Sequence, residues 1–521
     1  MTEQGLPARA LNLAGVLRHD AAHFANKVAL RLDGREFTYG QLARAVDEQV
    51  RVLGRHVAAG DRVALWFHNS FSWLVSFVAL NALDAVSVPI NTRLTAAELQ
   101  VILRDVRARA LITVQQYRGR RYLDEAMSVM DGLPDGMLVF DASGEGDAAG
   151  WPLIPAGNGL PPHESANADD LLCIQYTSGT TALPKGAMLT NGAYLQTAGY
   201  VARCQRLTPN SRFISAAPFF HCSGTLHAIT VCLLAGCTLN AMSGWDPERF
   251  LLETLTYGCD VSHMVYYRDV LALGAARARP RVATMRVSHD LGTRDYLARI
   301  HDELRIDGIS NIYGMTETCG QFTMWYPDDA LEQRLAANGR PQPGNRVRIA
   351  DPETGAPLAA GATGEIQMQG PTLTPGYFNR PDATAAAFTA DGWLRSGDLG
   401  TLTIDGDLVY IARLKEIIRV GGENLAPAEV EQVLRDTCRV QQVCVLGIPD
   451  TRVDEVAAAV VGGAQGTDWP AVLREMRVRL AGFKMPKSIY TADELPMTAT
   501  NRVQRAVLRE WIVGGKLTRV A

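Results

Sequence analysis

Apolar residues in the first 170 or so positions fall into two alternating patterns. FTYGQLARAVDEQVRVLG (37–54) spaces them as the face of a helix requires, and DRVALWF (61–67) is a dense run of strand length. SFSWLVSFVALNAL (70–83) is again helical, AVSVPI (85–90) is a second strand, and TAAELQVILRDV (95–106) predicts a further helix. Strands separated by helices predict a largely parallel sheet covered on both faces. From Glu423 onward the order changes to helix (425–436), strand (441–448), strand (455–463) and helix (469–481), a small α/β domain. A chain of 521 residues is also too long for one compact core, so at least two domains are expected.

Composition adds mainly exclusions. An apolar content of 47% and a charged content of 20% are those of an ordinary globular protein. A formal net charge of -4 argues against nucleic acid as an obligate partner. The apolar stretch 73–90 is broken by Asn81 and Asp84, and 226–242 is too short and too polar to span a bilayer, so no membrane partner is expected. The first residues lack the pattern of a signal peptide, and nine cysteines are scattered without a CxxC pair. Together these predict a cytoplasmic protein with reduced thiols. Residues 144–170, rich in Gly, Pro, Ala and Asp, read as a loop.

Chemistry first shows at residues 176–186, YTSGTTALPKG, which follow the strand-like LLCIQ (171–175). Gly179 lets backbone N–H groups approach an anion, Thr177, Ser178, Thr180 and Thr181 add hydroxyls, and Lys185 adds a positive charge. That is a phosphate-holding composition. It is not a Walker loop, because proline precedes the lysine and glycine follows it.

The stretch resembles the signature loop of the adenylate-forming superfamily, the acyl-CoA synthetases, beetle luciferases and peptide-synthetase adenylation domains. Further segments extend the resemblance in order along nearly the whole chain: VSVPINTRLTAAEL (86–99), PFFHCSG (218–224), NIYGMTET (311–318), GEIQMQGPTLTPGYFNRPDAT (364–384), GWLRSGDLG (392–400), YIARLKEII (410–418), VGGENLAPAEVE (420–431) and LPMTATNRVQRAVLRE (495–510). It implies an α/β fold with a large N-terminal domain of mixed parallel sheets and helices, residues 1–412, and a small mobile α/β C-terminal domain, residues 413–521, rotating about a hinge at Lys415.

The resemblance also implies roles. Tyr313 would stack on adenine, Thr316 would bond the α-phosphate, and Glu317 would hold Mg2+, a cation that prefers oxygen ligands. Asp398 would accept the ribose hydroxyls and Arg413 would add a contact there. Gly421 would line the pantetheine tunnel of CoA, where a side chain would obstruct the thiol. His221 is either the floor of the acyl site or a histidine satisfied in a core, and Gly314 belongs with the acyl site. His289 and Asp290, in SHDLG (288–292), either make that site polar enough for an oxygenated or bulky acid or face solvent.

Departures fall on one half of the family's two-step reaction, in which a carboxylic acid and ATP give an acyl-adenylate before CoA takes the acyl group. The adenylating lysine of the C-terminal motif is Arg502 here, with Asn501 where glycine is common, and a glycine of the phosphate loop is Ala182. Arginine keeps the charge but is longer, planar and fork-shaped. Asp84 also stands where the family commonly has glycine.

The leading expectation is therefore an acyl-CoA ligase that makes a thioester from an acyl-adenylate and CoA, its own adenylation weak or lost, served by a separate adenylating enzyme. The alternative is a complete ATP-dependent acyl-CoA synthetase. A third reading is a non-catalytic protein that sequesters adenylates or CoA, and a carrier-protein pantetheine remains an alternative acceptor.

Overall fold

The computed structural model describes residues 12–131, 133, 136–143, 167–177, 184–263, 265–420, 423–450, 454–497 and 503–521. The backbone divides into two compact units. The first comprises Met1–Val347, Met368–Leu394 and Gly406–Leu408, and the second Arg348–Gln367, Arg395–Asp405 and Val409–Ala521.

In the first unit the expected helices form at Tyr39–Leu53, Phe71–Ala82 and Ala96–Asp105. Each starts on a hydroxyl that accepts a free backbone N–H: Thr38 and Thr95 form capping boxes with Gln41 and Glu98, and Ser70 accepts from Trp73. Every residue of the Phe71–Ala82 helix after Phe71 is buried, so the apolar stretch beginning at Trp73 is core. No helix among the described residues is long and apolar enough to cross a membrane. Asp84 follows this helix with φ +51°, the left-handed region that glycine enters most easily. That backbone angle accounts for the glycine common at its position.

The strands of the first 170 residues do not share one sheet. Leu138–Asp141, Ala110–Thr113, Arg62–Trp66, Val86–Pro89, Leu171–Thr177 and Lys185–Thr190 lie in that order in a six-stranded sheet, parallel except for the last pair. Val28–Leu32 instead pairs in parallel with Thr238–Ala241 in a seven-stranded sheet that ends at Gly308–Asn311. Local periodicity identifies a strand but carries no record of a partner two hundred residues away.

The second unit holds the predicted small α/β pattern. Helix Pro427–Cys438, strands Val443–Asp450 and Asp454–Gly462, and helix Trp469–Arg479 occur in the expected order, and the two strands pair antiparallel. Val445, Ala457, Ala459, Val461 and Ile489 meet Val430, Leu434 and Met476 in its core. All nine cysteines are free thiols, eight of them buried.

Candidate active site

The strands Leu171–Thr177 and Lys185–Thr190 run antiparallel, with Tyr176 opposite Gly186 and Thr177 opposite Lys185. The two ends of the phosphate loop are thereby brought side by side. Gly186 permits this approach, since a Cβ there would stand 2.6 Å from Ile174 Cγ2. Ser178, Gly179, Thr180, Thr181 and Ala182, the interior of the loop, lie outside the described residues.

Both flanks of the loop are fastened to one later segment. On the incoming side the Tyr176 hydroxyl donates to Asp105 at 2.5 Å, and Asp105 is ion-paired with Arg380 at 2.8 Å. Burial, reinforced by the adjacent carboxylate, holds the Tyr176 phenol far above its ordinary pKa. On the outgoing side Phe378 N–H donates to Gly186 O at 2.8 Å, Met188 N–H donates to Gly376 O at 3.0 Å, and the Lys185 ammonium lies 5.2 Å from the centroid of the Tyr377 ring.

The same segment grips the candidate metal ligand. Glu317 sits in a single 3-10 turn, Thr316–Thr318, and is only 6% exposed. The Tyr377 hydroxyl donates to Glu317 Oε1 at 2.7 Å, while Thr374 N–H donates to the Glu317 backbone oxygen at 2.7 Å. Thr374 in turn donates its hydroxyl to Met188 O on the strand leaving the loop. Lys185, Tyr377, Glu317 and Thr316 are thus brought into one constellation.

Tyr313, buried, exchanges backbone hydrogen bonds with Thr323, and its oxygen also accepts from the Phe322 N–H. Gly314 packs so closely that a Cβ would lie 2.6 Å from both Gln321 Cα and Gly320 O. His221 is half-buried, and its Nδ1 accepts from the Ser223 N–H at 3.2 Å, which leaves Nε2 to carry the proton of the neutral ring. Its segment is held by Asn69, which accepts from Phe219 N–H and donates to Ala217 O, and by Gln175, which donates to Phe220 O at 2.9 Å.

His289 and Asp290 end the buried strand Val287–Asp290. His289 Nδ1 lies 3.1 Å from Gln205 Nε2, and burial pulls its pKa down to about 3. The Asp290 carboxylate accepts from Leu291 N–H and from the Tyr296 hydroxyl at 2.9 Å, and burial lifts it to about 7. His227 and His263 stack at 4.6 Å beside them, and burial depresses both.

Within the second unit, Asp398 is buried and ion-paired with Arg413 at 2.9 Å. Its N–H donates to Ser396 Oγ, whose hydroxyl is anchored on Ile366 O. Lys415 is exposed on the turn Leu414–Glu416. Arg505 reaches Glu431 at 2.8 Å and Glu416 at 3.4 Å, and also donates to Val445 O. Met497 and Val503 form an isolated antiparallel bridge. Arg502 and Gly421 lie outside the described residues.

Sequence patterns single out neither Tyr377 and Thr374 nor Asp105, Gln175 and Asn69. Tyr377 was within reach, as the one aromatic hydroxyl in GPTLTPGYFNR (370–380), but its partner lies sixty residues away. The other four act through backbone or carboxylate contacts that leave no local signature.

The AMP-binding enzyme family model matches residues 17–378, and the AMP-binding enzyme C-terminal domain model matches residues 429–502. The chain is 34% identical over 504 residues to feruloyl-CoA synthase from Amycolatopsis sp, an alignment covering 92% of this chain and 95% of that one. It is 32% identical over 495 residues to indoleacetate–CoA ligase from Aromatoleum aromaticum, covering 93% and 95%. Among solved structures, ATP-bound MatB from Rhodopseudomonas palustris superposes with a TM-score of 0.85 at 28% identity, over 95% of this chain and 98% of that one. The α/β fold with a large N-terminal and a smaller C-terminal domain is therefore as expected.

Proposed function

Because the chain belongs to the AMP-binding enzyme family and is an acyl-CoA ligase, we propose that it works mainly in the second half-reaction, on an acyl-adenylate and CoA. The thiolate of CoA attacks the acyl carbon, the bond from that carbon to the phosphate oxygen breaks, and AMP leaves. The thiol proton passes to solvent. Arg502 in place of the adenylating lysine carries this reading. A group that must sit between a carboxylate and a phosphate tolerates little displacement, and an error of about 1 Å costs on the order of 10²-fold in rate. Ala182 points the same way: if the glycine common there gives close passage to the β- and γ-phosphates, which only the first step contains, a methyl group would hinder them.

In this reading Tyr313 stacks on adenine, Thr316 and the loop residues Thr177, Ser178, Gly179, Thr180, Thr181 and Lys185 hold phosphate, and Asp398 with Arg413 holds the ribose. His221, Gly314, His289 and Asp290 belong to the acyl side, and Gly421 lines the path of the thiol. Residues 413–521 turn about Lys415 between the two steps. Mg2+ fits Glu317. Among the described residues no three His, Cys, Asp or Glu form a cage, and Mg2+ is commonly held by one or two carboxylates with substrate phosphates completing its shell. When bound, it would neutralise phosphate charge.

A complete ATP-dependent synthetase is the second reading. The constellation of Lys185, Tyr377 and Glu317 favours it, because phosphate and metal groups serve adenylation. Two parallel assays separate the readings, one with ATP plus a carboxylic acid and one with the synthetic acyl-adenylate of that acid plus CoA. Feruloyl and indoleacetyl groups are the first acids to try, given the relatives. Thioester in the second assay without pyrophosphate in the first is the expected result; robust pyrophosphate release overturns it.

A further inference from the structure

Glu317 is held from two sides by a segment that joins it to the phosphate loop. Thr374 N–H fixes the backbone of its turn, and the Tyr377 hydroxyl takes one of its carboxylate oxygens at 2.7 Å. The same tyrosine presents its ring to Lys185, 5.2 Å from the ammonium. One side chain thereby touches both the ammonium that ends the phosphate loop, through its ring, and the carboxylate proposed above to hold the metal, through its hydroxyl.

We propose that Tyr377 is a positioning residue for the divalent cation: its hydroxyl engages Glu317 Oε1, so that the carboxylate is fixed in one orientation and offers Oε2 to the cation. This rests on the assignment of Glu317 as the metal ligand made above. An unrestrained glutamate has rotamers to lose when it binds a metal, and that loss weakens binding. A hydrogen bond already made to one oxygen removes much of the loss, as it does wherever a ligating carboxylate is itself held by a neighbour. The buried surroundings of Glu317 strengthen the effect, because no bulk water competes strongly for the tyrosine hydroxyl.

The two contacts of Tyr377 can be taken apart. Tyr377→Phe removes the hydroxyl but leaves the ring beneath Lys185, and Tyr377→Leu removes both. Mn2+ binding to the full chain saturated with a non-hydrolysable ATP analogue, followed by electron paramagnetic resonance, reads the cation without reference to turnover. AMP binding in the absence of any divalent cation, followed by calorimetry, reads the nucleotide site alone.

Tyr377→Phe is expected to raise the Mn2+ dissociation constant about tenfold, within the range for partners of metal ligands, and to leave metal-free AMP binding at the wild-type value. Tyr377→Leu is expected to weaken both. Wild-type Mn2+ binding by Tyr377→Phe, with weakened binding by Glu317→Gln, overturns the proposal while leaving Glu317 as the ligand. Wild-type Mn2+ binding by Glu317→Gln overturns the ligand assignment and the proposal with it. Should Tyr377→Phe melt well below the wild type, Tyr377→His, which keeps a ring and a donor, is expected to recover Mn2+ binding in part; no recovery in a folded His variant counts against the proposal.

Discussion

Arg505 Nε lies 3.4 Å from Glu416 Oε2, so the helix Arg505–Val513 is ion-paired to the turn that carries Lys415. The other arm of the guanidinium meets Glu431, which is 7% exposed. Removing the guanidinium leaves that carboxylate with Arg435, at 3.1 Å, and the Val445 N–H as its remaining partners, so the loss is expected to stay below the cost of a buried charge left alone, about 3–5 kcal/mol. Arg505→Met is therefore expected to lower the urea midpoint measurably. Glu416→Gln, which removes the more exposed contact, is expected to cost about 1 kcal/mol or less.

Arg502→Lys restores the compact ammonium that the first half-reaction uses. Pyrophosphate release from ATP and acid is expected to rise at least about tenfold, with thioester formation from pre-made adenylate unchanged within about twofold. A flat response in the pyrophosphate assay would mean that arginine is already an adequate group there.

Asp398→Ala removes the proposed acceptor for the ribose hydroxyls and takes from Arg413 its partner at 2.9 Å. Hydrogen bonds to a charged group contribute about 1.5–3 kcal/mol each, so AMP affinity is expected to fall on the order of 10²-fold by calorimetry. Ser396→Ala, which removes only the hydroxyl that accepts the Asp398 N–H, is expected to weaken binding far less.

His227, His263 and His289 set an acid limit on stability. In the unfolded chain each takes up a proton near pH 6.5, whereas burial keeps all three neutral in the folded protein to well below that, to about pH 3 for His227 and His289. The unfolded state thus binds more protons between these values. Stability is present above pH 6.5 and is lost as pH falls, at up to about 1.4 kcal/mol per pH unit for each histidine. Melting temperatures from pH 7 to pH 4 should fall, and His227→Phe should flatten the slope.

The sequence was most legible where a residue's neighbours in the chain decide its conformation. The helices Tyr39–Leu53, Phe71–Ala82 and Ala96–Asp105 are of this kind. The motifs proposed for the site also stand in short runs, Tyr313, Thr316 and Glu317 in one and Asp398 in another. What remained hidden is long-range. The pairing of Val28–Leu32 with Thr238–Ala241, the fastening of Tyr176 through Asp105 to Arg380, and the Tyr377 contact with Glu317 each join segments far apart in the chain. Such contacts depend on the completed sheets, and no local period or propensity encodes them. Asp84 lies between the two cases: its departure from glycine was visible, and its φ of +51° gives the reason only in three dimensions.

The phosphate loop begins and ends on positions determined elsewhere, by Asp105 and Arg380 on one flank and by Gly376 and Phe378 on the other. The strands that carry the loop, with Tyr176 opposite Gly186 and Thr177 opposite Lys185, are thus moored from outside it, and a change in residues 105 or 376–380 would reach the phosphate site through its frame.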